Sequence, residues 1–496
     1  MNIDVIVIGA GPTGLMVATE LETAGVSAVV VDRLAVGSKM PRAAGMQPRT
    51  NEMLDMRGLL APMRAVKFSQ EHGRGHFAGL SIDYMVLRPS GPLLHLEQND
   101  IEAFLEQRLR ERGLSVLRGH ELTGIEQDEH GVTATVTTPD GETLRITGKY
   151  LVAADGAHST ARRLLGLGFP GREGTETALV ADVKVRNATA RQLVDPSALL
   201  GVPAVAEDGS WAMVFGLAGG WRRLVSSVAG APGRAVPVTE AEVADTLHRV
   251  FGPEVELLES RFLSRISDAA RQVPRYRAGR VLLAGDAAHI HLPFGGQGLN
   301  LGVQDALNLS WKLIAAVRGH APEGLLDTYH AERYPIAAQV LDNARVQGLL
   351  ANFGAVNNVD QPPLRDLFRT LIQLPEVNRF ITGILSGVDI QYPMPTSSHP
   401  LAGKRFFDIE LSPERGALLD PTDAFAGIAG SWADRVEHRR GDRAVLLRPD
   451  GYVAWASDEP GDTTGLADAL AHWFGPAMAT VTNGADVAAE TVAAWR

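Results

Sequence analysis

The chain has 496 residues, 45% hydrophobic and 21% charged, an ordinary balance for a globular protein long enough for two or three domains. Its 47 Lys and Arg against 58 Asp and Glu give a formal charge of -11 without a long basic run, which argues against nucleic acid as a partner. The chain contains no cysteine, so disulfides, thiolate metal sites, iron–sulfur clusters and a dithiol redox pair are excluded, and redox chemistry would belong to a bound cofactor.

The N-terminus, Met1-Asn-Ile-Asp4, lacks a basic leader, and the apolar run after it is broken by Gly9, Gly11 and Pro12. The expectation is a cytoplasmic protein with neither signal peptide nor membrane span. Residues 4–8 are a β-branched run, Gly9-Ala-Gly11-Pro-Thr-Gly14 leads into residues 15–24 at helical spacing, and residues 27–31 form a second strand ending in Asp32. In such a βαβ unit Gly9 makes the tight turn, Gly11 admits a pyrophosphate to the backbone, and Gly14 lets helix pack on strand. Asp32 is then placed to accept from ribose hydroxyls.

Residues 33–51 include Pro41-Arg42-Ala-Ala-Gly45, where Arg42 is either a phosphate ligand or a solvated surface arginine. Residues 67–92 lose the helical pattern and read as strands and loops leaving the first domain. A helix with an acidic first turn is expected over 101–112. Segments 116–122, 124–127, 133–137 and 144–146 alternate like antiparallel strands, with Pro139-Asp-Gly141 as a turn. Residues 150–165 give another strand, turn and helix, in which Asp155 either faces a ligand at the strand's carboxyl end or caps the helix together with Ser159. Past the midpoint, residues 281–284 read as a buried strand, Gly285-Asp286 as the turn closing it, and 293–300 as a glycine-rich loop opening a helix, a place for negative charge. His289 and His291 stand two apart without an evident third ligand, so no metal is expected.

Three of these stretches, Gly9-x-Gly11-x-x-Gly14, Asp155-Gly156-x-x-Ser159-x-x-Arg162, and Gly285-Asp286-Ala-Ala-His289 with Pro293-Phe-Gly-Gly-Gln-Gly-Leu-Asn300, resemble in order and spacing the fingerprints of the class A flavoprotein monooxygenases. These are FAD-dependent aromatic hydroxylases of the p-hydroxybenzoate hydroxylase-like fold. The resemblance runs from residue 1 to about 390, and residues 275–335 look most like the bacterial branch that hydroxylates polyketides and phenols. It implies an α/β fold: a Rossmann-like FAD-binding domain (1–66, 98–173 and 273–390) interleaved with a mixed-sheet substrate domain (67–97 and 174–272). It also implies a small C-terminal thioredoxin-like α/β domain over 400–496, which without cysteine would serve packing or dimer contact.

By the same resemblance Gly9, Gly11 and Gly14 would hold the pyrophosphate of a non-covalent FAD, Asp32 its ribose, and Arg33, Arg42 and Gln98 the rest of the extended cofactor. Asp155 and Arg162 would serve FAD and NADPH or NADH. Gly285 and Asp286 would meet the ribityl and phosphate region, and Pro293, Gly296, Gly298, Leu299 and Asn300 would pass beneath the flavin ring. The implied reaction is hydroxylation by O2 through a flavin C4a-hydroperoxide, with no side chain needed as nucleophile and no catalytic residue nominated. In the substrate domain, residues 179–185, 211–217 and 223–228 read as strands and 240–251 as a helix. There Phe77, Tyr84, Trp211, Met213, Phe215 and Trp221 are either the wall of a pocket for a flat aromatic substrate or ordinary sheet packing. Baeyer–Villiger oxygenation, oxidative inactivation of an aromatic antibiotic, and a non-catalytic flavin-binding protein stay open as alternatives, and a homodimer is left open.

Overall fold

The computed structural model describes residues 2–37, 43–66, 70–88, 90–174, 177–187, 204–228, 233, 235–351 and 361–478. Asn2–Ile8 lies at the centre of a sheet with the order Arg277–Ala278, Val281–Leu283, Thr143–Ala153, Asn2–Ile8, Ala28–Asp32 and Val116–Arg118. Four of these pairings are parallel. Strands buried on both faces read as continuous apolar runs, which is why Val5, Ile6 and Val7 show no exposure. Helix Pro12–Thr23 follows the first strand and packs against helix Gln98–Glu111 and the long helix Gln297–Val317.

The expected segments 144–146 and 150–153 are one strand, Thr143–Ala153. Its first half pairs antiparallel with Val132–Thr137, and its second half enters the parallel sheet beside Asn2–Ile8. The expected strand 116–122 is instead broken at Gly119, whose φ of +71° turns the chain between Val116–Arg118 and Glu121–Gln127. The glycine-rich loop is also shorter than expected, because helix Gln297–Val317 starts four residues before Leu301.

A second, antiparallel sheet has the order Ala204–Val205, Trp211–Gly216, Arg222–Ser227, Thr177–Arg186 and Glu256–Ser267, backed by helix Glu240–Phe251. Strand Leu93–His95, from the segment expected in the substrate domain, pairs with Gly45–Met46 as well as Gln70–His72. Helix Asp327–Leu350 runs unbroken through Pro335, followed by helices Gln361–Leu371 and Pro375–Ser386. A four-stranded C-terminal sheet, in the order Val436–Arg440, Gly416–Asp420, Ala444–Leu447 and Val453–Ser457, seats Trp473 and Phe474 on Trp311 of the long helix. Among the described residues no helix is long and apolar enough to cross a membrane.

Where the C-terminal sheet meets the long helix, four charged side chains are almost fully removed from water. Glu332 accepts from Arg448 Nη1 at 2.6 Å, Lys312 Nζ at 2.8 Å and Asn308 Nδ2 at 2.7 Å, while Arg448 also donates to Asp450. Two cations face two carboxylates, so the cluster is neutral, and removing one member leaves a buried charge without its partner. Burial by itself raises the Glu332 carboxyl, but Arg448 and Lys312 outweigh it and hold the group at about 2. The unfolded carboxyl titrates near 4.5. The native state therefore binds fewer protons than the unfolded state, and the stabilisation is complete above that value and lost as pH falls toward about 2. We expect Glu332→Gln to cost about 3–5 kcal/mol at neutral pH. The variant should also have a flatter acid limb than the wild type in urea unfolding between about pH 6 and 2.5.

Candidate active site

The first turn is built by three glycines with three different constraints. Gly9 has φ +103°, and a Cβ there would lie 2.2 Å from the carbonyl oxygen of Ala154 on the neighbouring strand. A Cβ on Gly14 would lie 2.0 Å from the Gly9 carbonyl oxygen, so this glycine sets how closely helix packs on strand. A Cβ on Gly11 would meet no protein atom within 4 Å, and Gly11 lines an open cleft. Gly11 is the N-cap of helix Pro12–Thr23 without a side-chain cap, and Pro12 opens the first turn, so the helix's free N–H groups and positive dipole end are left for an anion. Asp32 Oδ2 accepts from Ala10 N at 2.7 Å, Asp32 Oδ1 accepts from Leu34 N at 2.8 Å, and Arg118 Nη1 stands 3.4 Å from Oδ1. Its carboxylate thus fixes the turn as well as lining the cleft.

Across the sheet, Gly285 has φ +61°, and a Cβ there would lie 2.6 Å from Thr13 Oγ1. That close approach presses the second turn against the first helix and presents Asp286 to the cleft. Gly295 and Gly296, at φ +74° and +61°, are two successive left-handed residues, and Gly296 is the N-cap of the long helix. Gly298, Leu299 and Asn300 are therefore the first turn of that helix rather than loop. Asn300 Nδ2 donates to the carbonyls of Gly45 and Gly296, Asn300 Oδ1 accepts from Gln47 N, and Gln47 Nε2 donates to the Gly295 carbonyl at 2.8 Å. The turn over 293–296 is held in shape by these bonds before any ligand arrives.

One cleft of about 730 Å³ joins all of this to the second sheet. At one end it is lined by Gly9, Gly11, Asp32, Arg33, Gln98 and Asp155, in the middle by Asp286, Pro293, Gly296, Gly298 and Leu299, and at the far end by apolar side chains of the antiparallel strands, among them Met213, Phe215, Val225 and Ile266. His76 lines that far end too, stacked on Phe215 with ring centroids 6.4 Å apart. Its Nδ1 accepts from Gly79 N at 3.2 Å. Burial and the Arg365 guanidinium push the imidazole down to about 4, so it is neutral at physiological pH and carries its proton on Nε2 as a donor. Tyr84 shares the cleft, its phenol raised by burial and bonded to Gln47.

Several expected site residues stand elsewhere. Arg42 lies outside the described residues. Arg162 is buried, donates to the carbonyls of Ala157 and Ala287 at 2.8 and 3.0 Å, and has Phe169 under its guanidinium at 3.8 Å. It ties two turns together behind the cleft. Asp155 does cap its helix, accepting from Thr160 N, Ala161 N and Ser159 Oγ, while keeping an edge on the cleft. Gly14, Gly285 and Asn300 shape the walls without lining them. Of the aromatic wall, Phe77 stacks on Phe368, Trp211 packs on Phe294, and Trp221 has the cationic groups of Lys184 and Arg261 against its ring. Only Met213, Phe215 and Tyr84 of that group reach the cleft. The sequence reading missed His76, Gln47, Arg118, Arg223 and Phe262, all of which line it. Arg118 had a usable signal, because it sits at the carboxyl end of a strand directly beside Asp32. His289 and His291 do not converge: the first bonds Asp305 Oδ2 at 2.7 Å, the second the Leu292 carbonyl. Asp420, Asp423 and His438 bring ligand atoms within 4.8 Å of one another, but the Asp420 carboxylate is taken up by the N–H groups of Thr422, Asp423 and Phe425 and by His438.

The cradle fits a dinucleotide, since a methyl group at Gly11 would project only into ligand space. Gly11→Ala is expected to fold with a thermal midpoint near that of the flavin-stripped wild type and to retain much less bound flavin, read as the ratio of flavin to protein absorbance. Gly14→Ala, facing a backbone oxygen that cannot move, is expected to lower the midpoint itself.

Residues 2–344 match the family model described as FAD binding domain, and residues 396–477 match the model described as aromatic-ring hydroxylase, C-terminal. The chain is 40% identical to the 12-dehydrotetracycline 5-monooxygenase/anhydrotetracycline 6-monooxygenase of Streptomyces rimosus subsp. rimosus, over 96% of this chain and 99% of that protein. It is 39% identical to the rifampicin monooxygenase of Streptomyces venezuelae, again over 96% and 99% of the two chains. The solved structure of OxyS anhydrotetracycline hydroxylase from Streptomyces rimosus superposes with a TM-score of 0.86 at 39% identity, covering 96% of this chain and 100% of that one. With its glycine cradle, its cleft and these matches along nearly its whole length, the chain belongs to the FAD-binding aromatic-ring hydroxylases, a family of flavoprotein monooxygenases.

Proposed function

We propose that this enzyme hydroxylates a phenolic ring of a polycyclic, polyketide-type substrate, consuming O2 and one NADPH or NADH and releasing water. The observation that carries the reading is the single cleft that runs without interruption from the glycine cradle to the apolar face of the second sheet. FAD, when bound, supplies the two-electron exchange with the nicotinamide and the activation of oxygen. The side chains do the rest. Gly9 makes the turn, its N–H held by the Val31 carbonyl, Gly11 brings the open backbone of the helix N-terminus to the pyrophosphate, and Asp32, Arg33, Gln98 and Asp286 line its path. The N-terminus of helix Gln297–Val317 directs its positive end into the cleft beside Pro293 and Gly296, where negative charge is stabilised by about 0.3–1 kcal/mol. Met213, Phe215, Val225 and Ile266 exclude water from the reacting ring. The His76 Nε2–H offers a donor to a carbonyl or phenolate oxygen of the substrate.

The discontinuous domain division is part of the same reading, supported by sheet membership: the parallel sheet draws on residues 2–153 and 277–283, and the antiparallel one on 177–267. The thioredoxin-like character of the C-terminal unit is supported by a parallel strand pair, Gly416–Asp420 and Val436–Arg440, spanned by helix Ala426–Gly430 and followed by an antiparallel pair and helix Leu466–Phe474. A second reading, oxygenation that inactivates an antibiotic, is favoured by the likeness to rifampicin monooxygenase.

Anaerobic mixing of the yellow holoenzyme with NADPH, with and without anhydrotetracycline, followed by oxygenated buffer, tests the proposal. Faster bleaching with the ligand and a product one oxygen atom heavier, bearing a new ring hydroxyl, are expected. A ring-expanded lactone would move the reading to Baeyer–Villiger chemistry, and loss of antibacterial activity in a rifampicin product would favour inactivation. Flavin that neither NADPH nor NADH reduces under any ligand would overturn oxygenation altogether.

A further inference from the structure

The far end of the cleft holds a backbone conformation that a bulky side chain adopts only under constraint. In the pairing of Thr177–Arg186 with Glu256–Ser267, Val180 stands opposite Ser264 and Asp182 opposite Arg261, so Phe262 and Leu263 together face Ala181. This is a β-bulge, and its first residue, Phe262, has φ +52°. The other described non-glycine residues at positive φ are Ala78, Asn187, Asp408 and Asp423. Asn and Asp tolerate that region through local hydrogen bonds and Ala has only a methyl group, whereas a phenylalanine there is strained.

What holds the bulge in place is a clamp across three strands. Asp182, with no exposure, has Arg223 and Arg261 as its register partners on the two flanking strands. Arg223 reaches it with Nε at 2.8 Å and Nη2 at 3.2 Å, and Arg261 Nε stands at 3.5 Å. The Arg223 guanidinium also lies 4.8 Å from the centroid of the Phe262 ring. Strain that persists because its surroundings fix it is characteristic of ligand sites, and Phe262 and Arg223 both line the cleft.

We propose that Phe262 is a specificity-determining wedge: it sets how long a fused ring system fits between the second sheet and the Pro293–Gly296 turn, and thereby which ring meets the cofactor. The inference rests on the proposed function for the kind of ligand, a flat fused phenol, but is tested by binding alone. Dissociation constants for 1,8-dihydroxyanthraquinone, with three fused rings, and anhydrotetracycline, with four, are measured by flavin absorbance changes on the oxidised holoenzyme. Phe262→Ala should shift the preference toward the four-ring ligand by roughly tenfold or more, the scale at which a pocket discriminates size. Phe262→Leu, which keeps an apolar side chain in the bulge, should shift it in the same direction by a smaller factor, and Phe262→Tyr should leave it near that of the wild type. Both ligands weakened alike in the Ala and Leu variants, an unchanged preference, or a wild type that binds neither ligand would overturn the proposal. If the preference shifts but neither NADPH nor NADH reduces the flavin under any ligand, the wedge stands and the hydroxylation reading falls. If hydroxylation occurs but the preference stays flat, the hydroxylation reading stands and the wedge falls.

Discussion

The carboxylate of Asp305 is the point on which the cofactor half of the molecule turns. It is fully buried in the long helix and accepts from Arg333 Nε at 2.7 Å, His289 Nε2 at 2.7 Å and Gly285 N at 3.2 Å. An isolated carboxylate at this depth would cost several kcal/mol, so the three donors are required for it to remain ionised. Burial works to raise its pKa, and Arg333 and His289 more than compensate. The donors come from three places in the chain, so one charge fixes the Gly285–Ala287 turn to two helices. Arg333 continues the linkage to Tyr392 and to the Leu301 carbonyl.

The residue next to Arg333 carries the opposite sign and bonds a different set of partners. Glu332 reaches the C-terminal sheet through Arg448 while Arg333 reaches the cofactor turn through Asp305. Helix Asp327–Leu350 is thereby an electrostatic tie between the two ends of the protein. The C-terminal unit has no thiol chemistry to contribute, and its geometry suits it to a supporting role. Its Trp473 and Phe474 cover Trp311, and its Arg448 neutralises the buried Glu332.

The sequence displayed most plainly what depends on neighbours along the chain. Gly9, Gly11 and Gly14 were readable because a tight turn, a ligand approach and a helix contact each forbid a side chain at a fixed spacing. The strands of the second sheet were readable over 179–185, 211–217 and 223–228, and Met213 and Phe215, of one parity, line the cleft. Trp211 shares that parity, but the cleft ends before it reaches that ring, and sheet depth leaves no mark in a local pattern. His76 and Phe77 show the opposite failure. Neighbours on a strand point to opposite faces, and here His76 lines the cleft while Phe77 stacks on Phe368. Arg162 was given to the cofactor because it belongs to a familiar motif, whereas its guanidinium is occupied by two backbone carbonyls and a ring. The Asp182 clamp joins residues from three strands, and nothing short of the register brings them together.

The parallel sheet also governs when the site can exist. Its strands come from residues 2–8, 28–32, 116–118, 143–153 and 281–283, and the helix that closes the cradle from below begins at Gln297. Contacts so distant along the chain form only after their loop-closure entropy has been met, which makes such sheets slow to assemble. On the ribosome the glycine turn emerges first, yet Gly9 rests on Ala154, Thr13 on Gly285, and the cleft on the turn at 293–296. Well over half of the polypeptide must be synthesised before its opening residues acquire a ligand to hold, so the earliest motif in the sequence is among the last to become a binding site.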